Sequence, residues 1–128
     1  MAAQTKQLGC SGVSDLLKLV EENKDVESIY ILFCGEPDAS GESWCPDCVK
    51  AEPVVEACVQ KMKDQNAVFI LCSVGDRAKW KDPKNEFRTH EKVKLKAIPT
   101  LIKWNSPKRL VEEECAKSDL VEMFFEEE

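Results

Sequence analysis

Three short runs rich in apolar residues, at residues 28–34, 67–74 and 100–104, set the tightest limit on what this chain can become. Each is short, and the first ends abruptly at Gly35. Their length and their β-branched and aromatic content read as strands buried on both faces, not as helices. Helical patterns lie between and around them. Val13, Leu16, Leu17 and Val20 recur at helical spacing and predict a helix over roughly residues 12–24, capped by Ser11 or Ser14. From Cys45 onward, Val49, Val54, Val55, Cys58, Val59 and Met62 share one broad helical face, with Pro53 placed to kink that helix. Buried strands that alternate with helices imply a parallel core sheet covered on both faces.

The remaining segments fill in the order. Residues 1–10 suit a short edge strand. Residues 35–43 are polar and rich in turn formers, so they form a loop that delivers the chain to Trp44. Residues 75–84 read as a charged loop containing Trp80, followed by a short helix near 84–91. Residues 100–104 and 109–113 are separated by a tight turn and pair antiparallel. Ser118 and Asp119 cap a last helix that buries Leu120, Val121, Phe124 and Phe125. Glu126, Glu127 and Glu128 form a solvated acidic end. With 128 residues and 43% hydrophobic content, the chain suits one domain spanning 1–128.

Charge and cysteine usage narrow the class. A net charge of −6 argues against nucleic acid as partner, because phosphate binding needs a positive face. No apolar run approaches the ~20 residues of a membrane span. The N-terminal residues lack the apolar core of a secretory signal. Seven cysteines, an odd number, cannot all pair within one chain. These features point to a reducing, cytosolic setting in which most thiols stay free. Cys34, Cys58, Cys72 and Cys115 then read as small buried hydrophobes, and Cys10 as the exposed one.

Cys45 and Cys48 depart from that pattern. They lie three residues apart where a loop becomes a helix, so both thiols sit at one end of a single turn. That spacing suits a disulfide. The first turn has unpaired N–H groups and the positive end of the helix dipole, which favour a thiolate. Pro46 fits the first helical position. The expectation is that Cys45 attacks a disulfide and Cys48 resolves the mixed disulfide. A structural zinc site needs four ligands, and there is no second Cys-x-x-Cys and only one histidine, His90, so no metal is expected.

Trp44-Cys45-x-x-Cys48 after a strand, Pro53 in the following helix, and Ile98-Pro99-Thr100 before a strand together resemble the thioredoxin family along nearly the whole chain. The resemblance implies the thioredoxin fold: an α/β domain with a mixed, mostly parallel sheet of about five strands and helices on both faces. It implies that Pro99 is cis and faces the cysteines, and that Ile98 offers its backbone to an extended substrate. Trp44, Pro46 and Trp80 join Ile98 and Pro99 as expected substrate-binding residues. The resemblance also implies a monomeric cytosolic disulfide reductase with no bound cofactor. Its electrons come from NADPH through thioredoxin reductase, and its substrates are disulfide proteins and small disulfides such as cystine. A contribution to peroxide removal, or a role as a redox-sensitive binding module in tumour-necrosis-factor signalling, are the alternative readings.

Two departures from ordinary thioredoxins stand out. The buried acid at the end of the strand before the active site is missing from the stretch Leu32-Phe33-Cys34-Gly35. The dipeptide between the cysteines is Pro-Asp. Asp47 is therefore the candidate to handle the proton of Cys48, although an acid in a first helical turn is favourable without any such role. The 35–43 loop is longer than usual at this place and is expected to filter bulky substrates.

Overall fold

The computed structural model describes residues 5–62 and 66–126. Glu127 and Glu128 of the acidic end lie outside the described residues. The chain forms β1 (Lys6–Ser11), α1 (Val13–Glu22), β2 (Ser28–Cys34), α2 (Pro46–Met62), β3 (Ala67–Ser73), α3 (Arg77–Lys81), α4 (Glu86–Thr89), β4 (Thr100–Lys103) and β5 (Arg109–Val111). A 3-10 turn (Glu112–Ala116) and α5 (Ser118–Glu126) complete it.

One five-stranded sheet runs in the order β1-β3-β2-β4-β5. The β1–β3 and β2–β3 ladders are parallel; β2–β4 and β4–β5 are antiparallel. The sheet is mixed, as the resemblance implied, with its ladders evenly divided. The reason is the path after β3. The short helices α3 and α4 keep the chain at the end where β3 finished, so β4 sets out from that end and runs back along β2. The catalytic candidates collect there, because β2 stops, α2 starts and β4 starts at the same edge.

Side chains alternate across the sheet, so β2 divides the core in two. Phe33 meets Phe87 of α4 edge-on at 5.7 Å between ring centroids. Tyr30, on the other face, meets Phe124 and Phe125 of α5 at 6.0 and 4.8 Å. Ile31, Leu32 and Phe33 are fully buried, which explains the unbroken apolar run. α2 covers the Tyr30 face through Cys48, Ala51, Val55, Cys58 and Val59. Pro53 lies inside α2, and the helix runs through it to Met62.

Three expectations need correction. Neither Ser11 nor Ser14 caps α1: Gly12 holds the capping position at φ +88°, and the Val13 N–H donates to the Glu86 carboxylate at 3.3 Å. A residue 73 positions away supplies the cap, so no local pattern reveals it. The 75–84 segment is not a plain loop, because Asp76 accepts from the Lys79 N–H and starts α3, which buries Trp80. The last strand is three residues long and gives way to the 3-10 turn at Glu112.

Replacing Glu86 with Ala should lower unfolding stability by about 1 kcal/mol, the ordinary cost of losing an N-terminal cap. Urea titration of the two proteins measures it.

Candidate active site

The site begins with a glycine. A Cβ on Gly35 would stand 2.5 Å from the Trp44 ring, so only glycine lets the indole lie against the end of β2. The Trp44 Nε1–H donates to the Gly75 carbonyl at 2.9 Å, and the Arg77 guanidinium sits 5.7 Å from the ring centroid. The preceding polar segment is a small exposed hairpin. Pro37 bridges Ser43, the Glu36 N–H bonds the Gly75 carbonyl, and the Trp44 N–H bonds the Glu36 carbonyl. Buried Ser43 accepts from the Cys45 N–H at 3.2 Å.

Cys45 is the capping residue of α2. Its carbonyl takes the first helical hydrogen bond, from Val49, and its sulfur accepts from the Cys48 N–H at 3.3 Å. A side-chain acceptor three residues ahead of that N–H is the ordinary capping geometry, with sulfur in the place of oxygen. Pro46 occupies the first helical position, where its missing N–H costs nothing. Cys45 is 6% exposed and Cys48 0%, so the expected order of accessibility holds. The Ile98–Pro99 bond is cis, and the Ile98 carbonyl oxygen stands 3.9 Å from the Cys45 sulfur. The Glu112 N–H holds the Pro99 carbonyl at 2.7 Å, which fixes the start of β4 beside the dithiol.

Beneath the pair the thiols continue inward. Cys48 lies between Cys45 and Cys34, each near enough to bias its proton. Cys34 in turn neighbours the half-buried carboxylate of Glu52, one turn beyond Cys48 on α2. Cys45, Cys48, Cys34 and Glu52 thus lie as successive neighbours from the site mouth to the flank of α2, each biasing the proton of the next.

The row decides the resting protonation. The neighbouring Cys48 thiol and the burial of its own sulfur hold the Cys45 thiol above its ordinary range, against the pull of the Cys48 and Asp47 backbone N–H groups. The helix terminus acts on Cys45 as expected, but in the resting dithiol the neighbouring thiol outweighs it. Cys48 is also pushed up, first by the Cys34 thiol and then by burial. Cys48 lowers the Cys34 thiol, yet burial and the Glu52 charge outweigh that effect and raise it. Burial raises Glu52, helped by Glu56.

A family model described as "Thioredoxin domain-containing protein 17-like, thioredoxin domain" matches residues 9–127. The chain belongs to this family. Relatives named "Thioredoxin domain-containing protein 17" include one from Danio rerio, 46% identical over 123 residues, covering 96% of this chain and 97% of the relative. One from Mus musculus is 44% identical over 126 residues, covering 98% and 99%. The crystal structure of the reduced Schistosoma mansoni thioredoxin pre-protein superposes with a TM-score of 0.59 at 19% identity, over 94% of this chain and 99% of that one, and so shares the fold.

Of the residues expected in the site of this thioredoxin-family chain, Trp44, Cys45, Pro46, Cys48, Ile98 and Pro99 come together. Asp47 is exposed in the first turn of α2. Trp80 is buried under the Arg88 guanidinium, 3.8 Å from its ring centroid, and its carbonyl accepts from Arg88 Nε. Ser43, Gly35, Cys34 and Glu52 were not singled out as site residues. Only Glu52 left a readable signal, its spacing of four from Cys48. Among the described residues, no cluster of histidine, cysteine and carboxylate side chains could hold a metal.

Two outcomes follow. Gly35→Ala should push the indole away and cost about 1–3 kcal/mol, the usual range for overpacking, with a change in tryptophan fluorescence. Glu52 has a raised folded pKa, so the native state holds its proton where the unfolded chain has lost it. Stability therefore falls as pH rises through that range. Glu52→Gln should match the parent at lower pH and exceed it at neutral pH in thermal unfolding.

Proposed function

We propose that this thioredoxin-family protein reduces disulfides with the Cys45–Cys48 dithiol. The observation that carries the reading is the capping of α2 by a sulfur: the Cys48 N–H points at Cys45 Sγ, with the Ile98 carbonyl alongside. A sulfur so placed gains most when it becomes an anion, which is the form that attacks.

The row of thiols supplies the proton path. Passing one proton between each pair of neighbours takes the Cys45 proton to Cys48, the Cys48 proton to Cys34 and the Cys34 proton to Glu52. Cys45 is left as a thiolate facing two backbone N–H groups. It attacks one sulfur of the substrate disulfide, the substrate S–S bond breaks, and the departing thiolate takes up a proton. Glu52, at the flank of α2, returns its proton to water; Cys48 then gives its own proton through Cys34 to the freed carboxylate and attacks Cys45 Sγ. The mixed disulfide breaks and the second substrate thiolate leaves. The substrate gains two electrons and two protons, and the chain holds a Cys45–Cys48 disulfide. Glu52, acting through Cys34, takes the role first considered for Asp47, whose exposed side chain leaves it as a favourable first-turn acid.

The Ile98 backbone, which lies just ahead of β4 and outside its two ladders, suits an extended segment of a disulfide protein, with Trp44, Pro46 and Pro99 flanking it. The exposed 36–43 hairpin lies against the same mouth and supports a filter on bulky substrates. We further propose that the protein works as a cytosolic monomer, binds no cofactor, and is reset by NADPH through thioredoxin reductase, with small disulfides such as cystine among its substrates. Among the described residues no helix is long and apolar enough to cross a membrane.

NADPH consumption with thioredoxin reductase, using cystine and insulin side by side, tests the reading. Cys45→Ser should fall to the blank rate, and Cys48→Ser should accumulate mixed disulfides; turnover by Cys45→Ser would overturn the assignment. Glu52→Gln should slow the resolving step about 10²-fold, at the low end of positioned proton transfer, and flatten its pH dependence, whereas Asp47→Asn should leave the profile unchanged.

A further inference from the structure

A second pair of cysteines lies on the other face of the sheet. Cys10 of β1 and Cys72 of β3 are register partners in the parallel ladder. Cys72 aligns in turn with Phe33 of β2, whereas Cys34 aligns with Ser73. Alternation therefore sends Cys72 and Cys10 to the Phe33 face, opposite the side where Cys34 meets α2.

The placement suits covalent pairing. Register partners on neighbouring strands point to the same face and are about 4.8 Å apart across the ladder, inside the ~4.4–6.8 Å between Cα atoms that a disulfide spans. The two thiols are near enough to bias each other's protonation. Their surroundings differ. Cys72 is fully buried, while Cys10 is half-exposed and lines a cavity of about 270 Å³ together with Gly9, Asp15, Lys18, Leu19 and Glu22. One sulfur is open to a small reagent, and the other is reachable only through the first.

We propose that Cys10 and Cys72 are a second dithiol, oxidised by low-molecular-weight disulfides to a cross-strand bond that ties β1 to β3. Cys10 acts first. The neighbouring Cys72 thiol holds Cys10 below the ordinary thiol range, against burial and the negative charge of Asp15. Cys72 is pushed the other way by the neighbouring Cys10 thiol, by burial, and by the Cys10, Glu86 and Asp15 charges. An exposed low-pKa thiol beside a buried partner is the arrangement of thiols that respond to oxidants.

The steps balance. Cys10 thiolate attacks one sulfur of the small disulfide, whose S–S bond breaks, and the first small thiolate leaves and takes up the proton Cys10 had released. Cys72 then loses its proton and attacks Cys10 Sγ, the mixed bond breaks, and the second small thiol leaves with that proton. The chain loses two electrons and two protons, and the small disulfide becomes two thiols. Neither Cys45 nor Cys48 takes part.

The test uses the full chain with Cys45 and Cys48 both changed to Ser, so that the first dithiol is silent. The protein is incubated with oxidised glutathione, quenched with an alkylating agent and read by peptide mass spectrometry. The expected result is a loss of two hydrogens and a peptide pair joined through Cys10 and Cys72. With Cys72→Ser added, the reaction should stop at a glutathione adduct on Cys10. With Cys10→Ser added, Cys72 should remain unmodified. A stable glutathione adduct on Cys10 while Cys72 is present, an unmodified Cys10, or a link from Cys10 to a second chain would each overturn the proposal.

Discussion

The hydrogen bond from the Cys48 N–H to Cys45 Sγ is the constraint on which the rest of the site depends. It fixes where α2 begins, and so which residues share its inner face. With Cys45 at the cap, Cys48 falls one turn in and Glu52 one turn further, both on the side that faces β2. Had the helix begun one residue later, the pair would have turned by about 100° and the row of thiols would not have formed. The cap is made secure from outside by Ser43 and by Trp44, whose indole lies flat against Gly35.

The same geometry explains how the chain lives without a buried aspartate at the end of β2. Cysteine at position 34 keeps that end of the strand neutral at rest, which avoids burying a charge deep in the core. The negative charge is placed instead on Glu52, half-buried at the flank of α2. Charge is thus kept near water, and neighbouring thiols carry its influence inward.

Much of this was legible before the structure. The runs at 28–34 and 67–74 announce buried strands because water touches neither face, and the spacing of Cys45 and Cys48 announces a dithiol because little else uses that pattern singly. What escaped notice did so for physical reasons. Cys34 inside an apolar strand looks like any small core residue, since its neighbours lie across space. Glu52 looks like a surface acid on an amphipathic helix. The cap of α1 comes from Glu86, which no local window contains. The helix that buries Trp80 reads as loop in the sequence because five residues are too few to show a helical period. The pull of Cys48 on the Cys45 proton was not legible, because the helix terminus is visible in sequence whereas a neighbouring thiol is a tertiary fact.

The hairpin before Trp44 is anchored at both of its feet, where Glu36 joins Gly75 on one side and Trp44 on the other. Between those anchors the exposed 38–42 peptide makes no hydrogen bond to either sulfur, while Ser43 at its end holds the Cys45 N–H. Its tip is accordingly a place where length and composition can drift, or where a dye or affinity handle can be grafted, while the chemistry behind the anchors keeps its alignment.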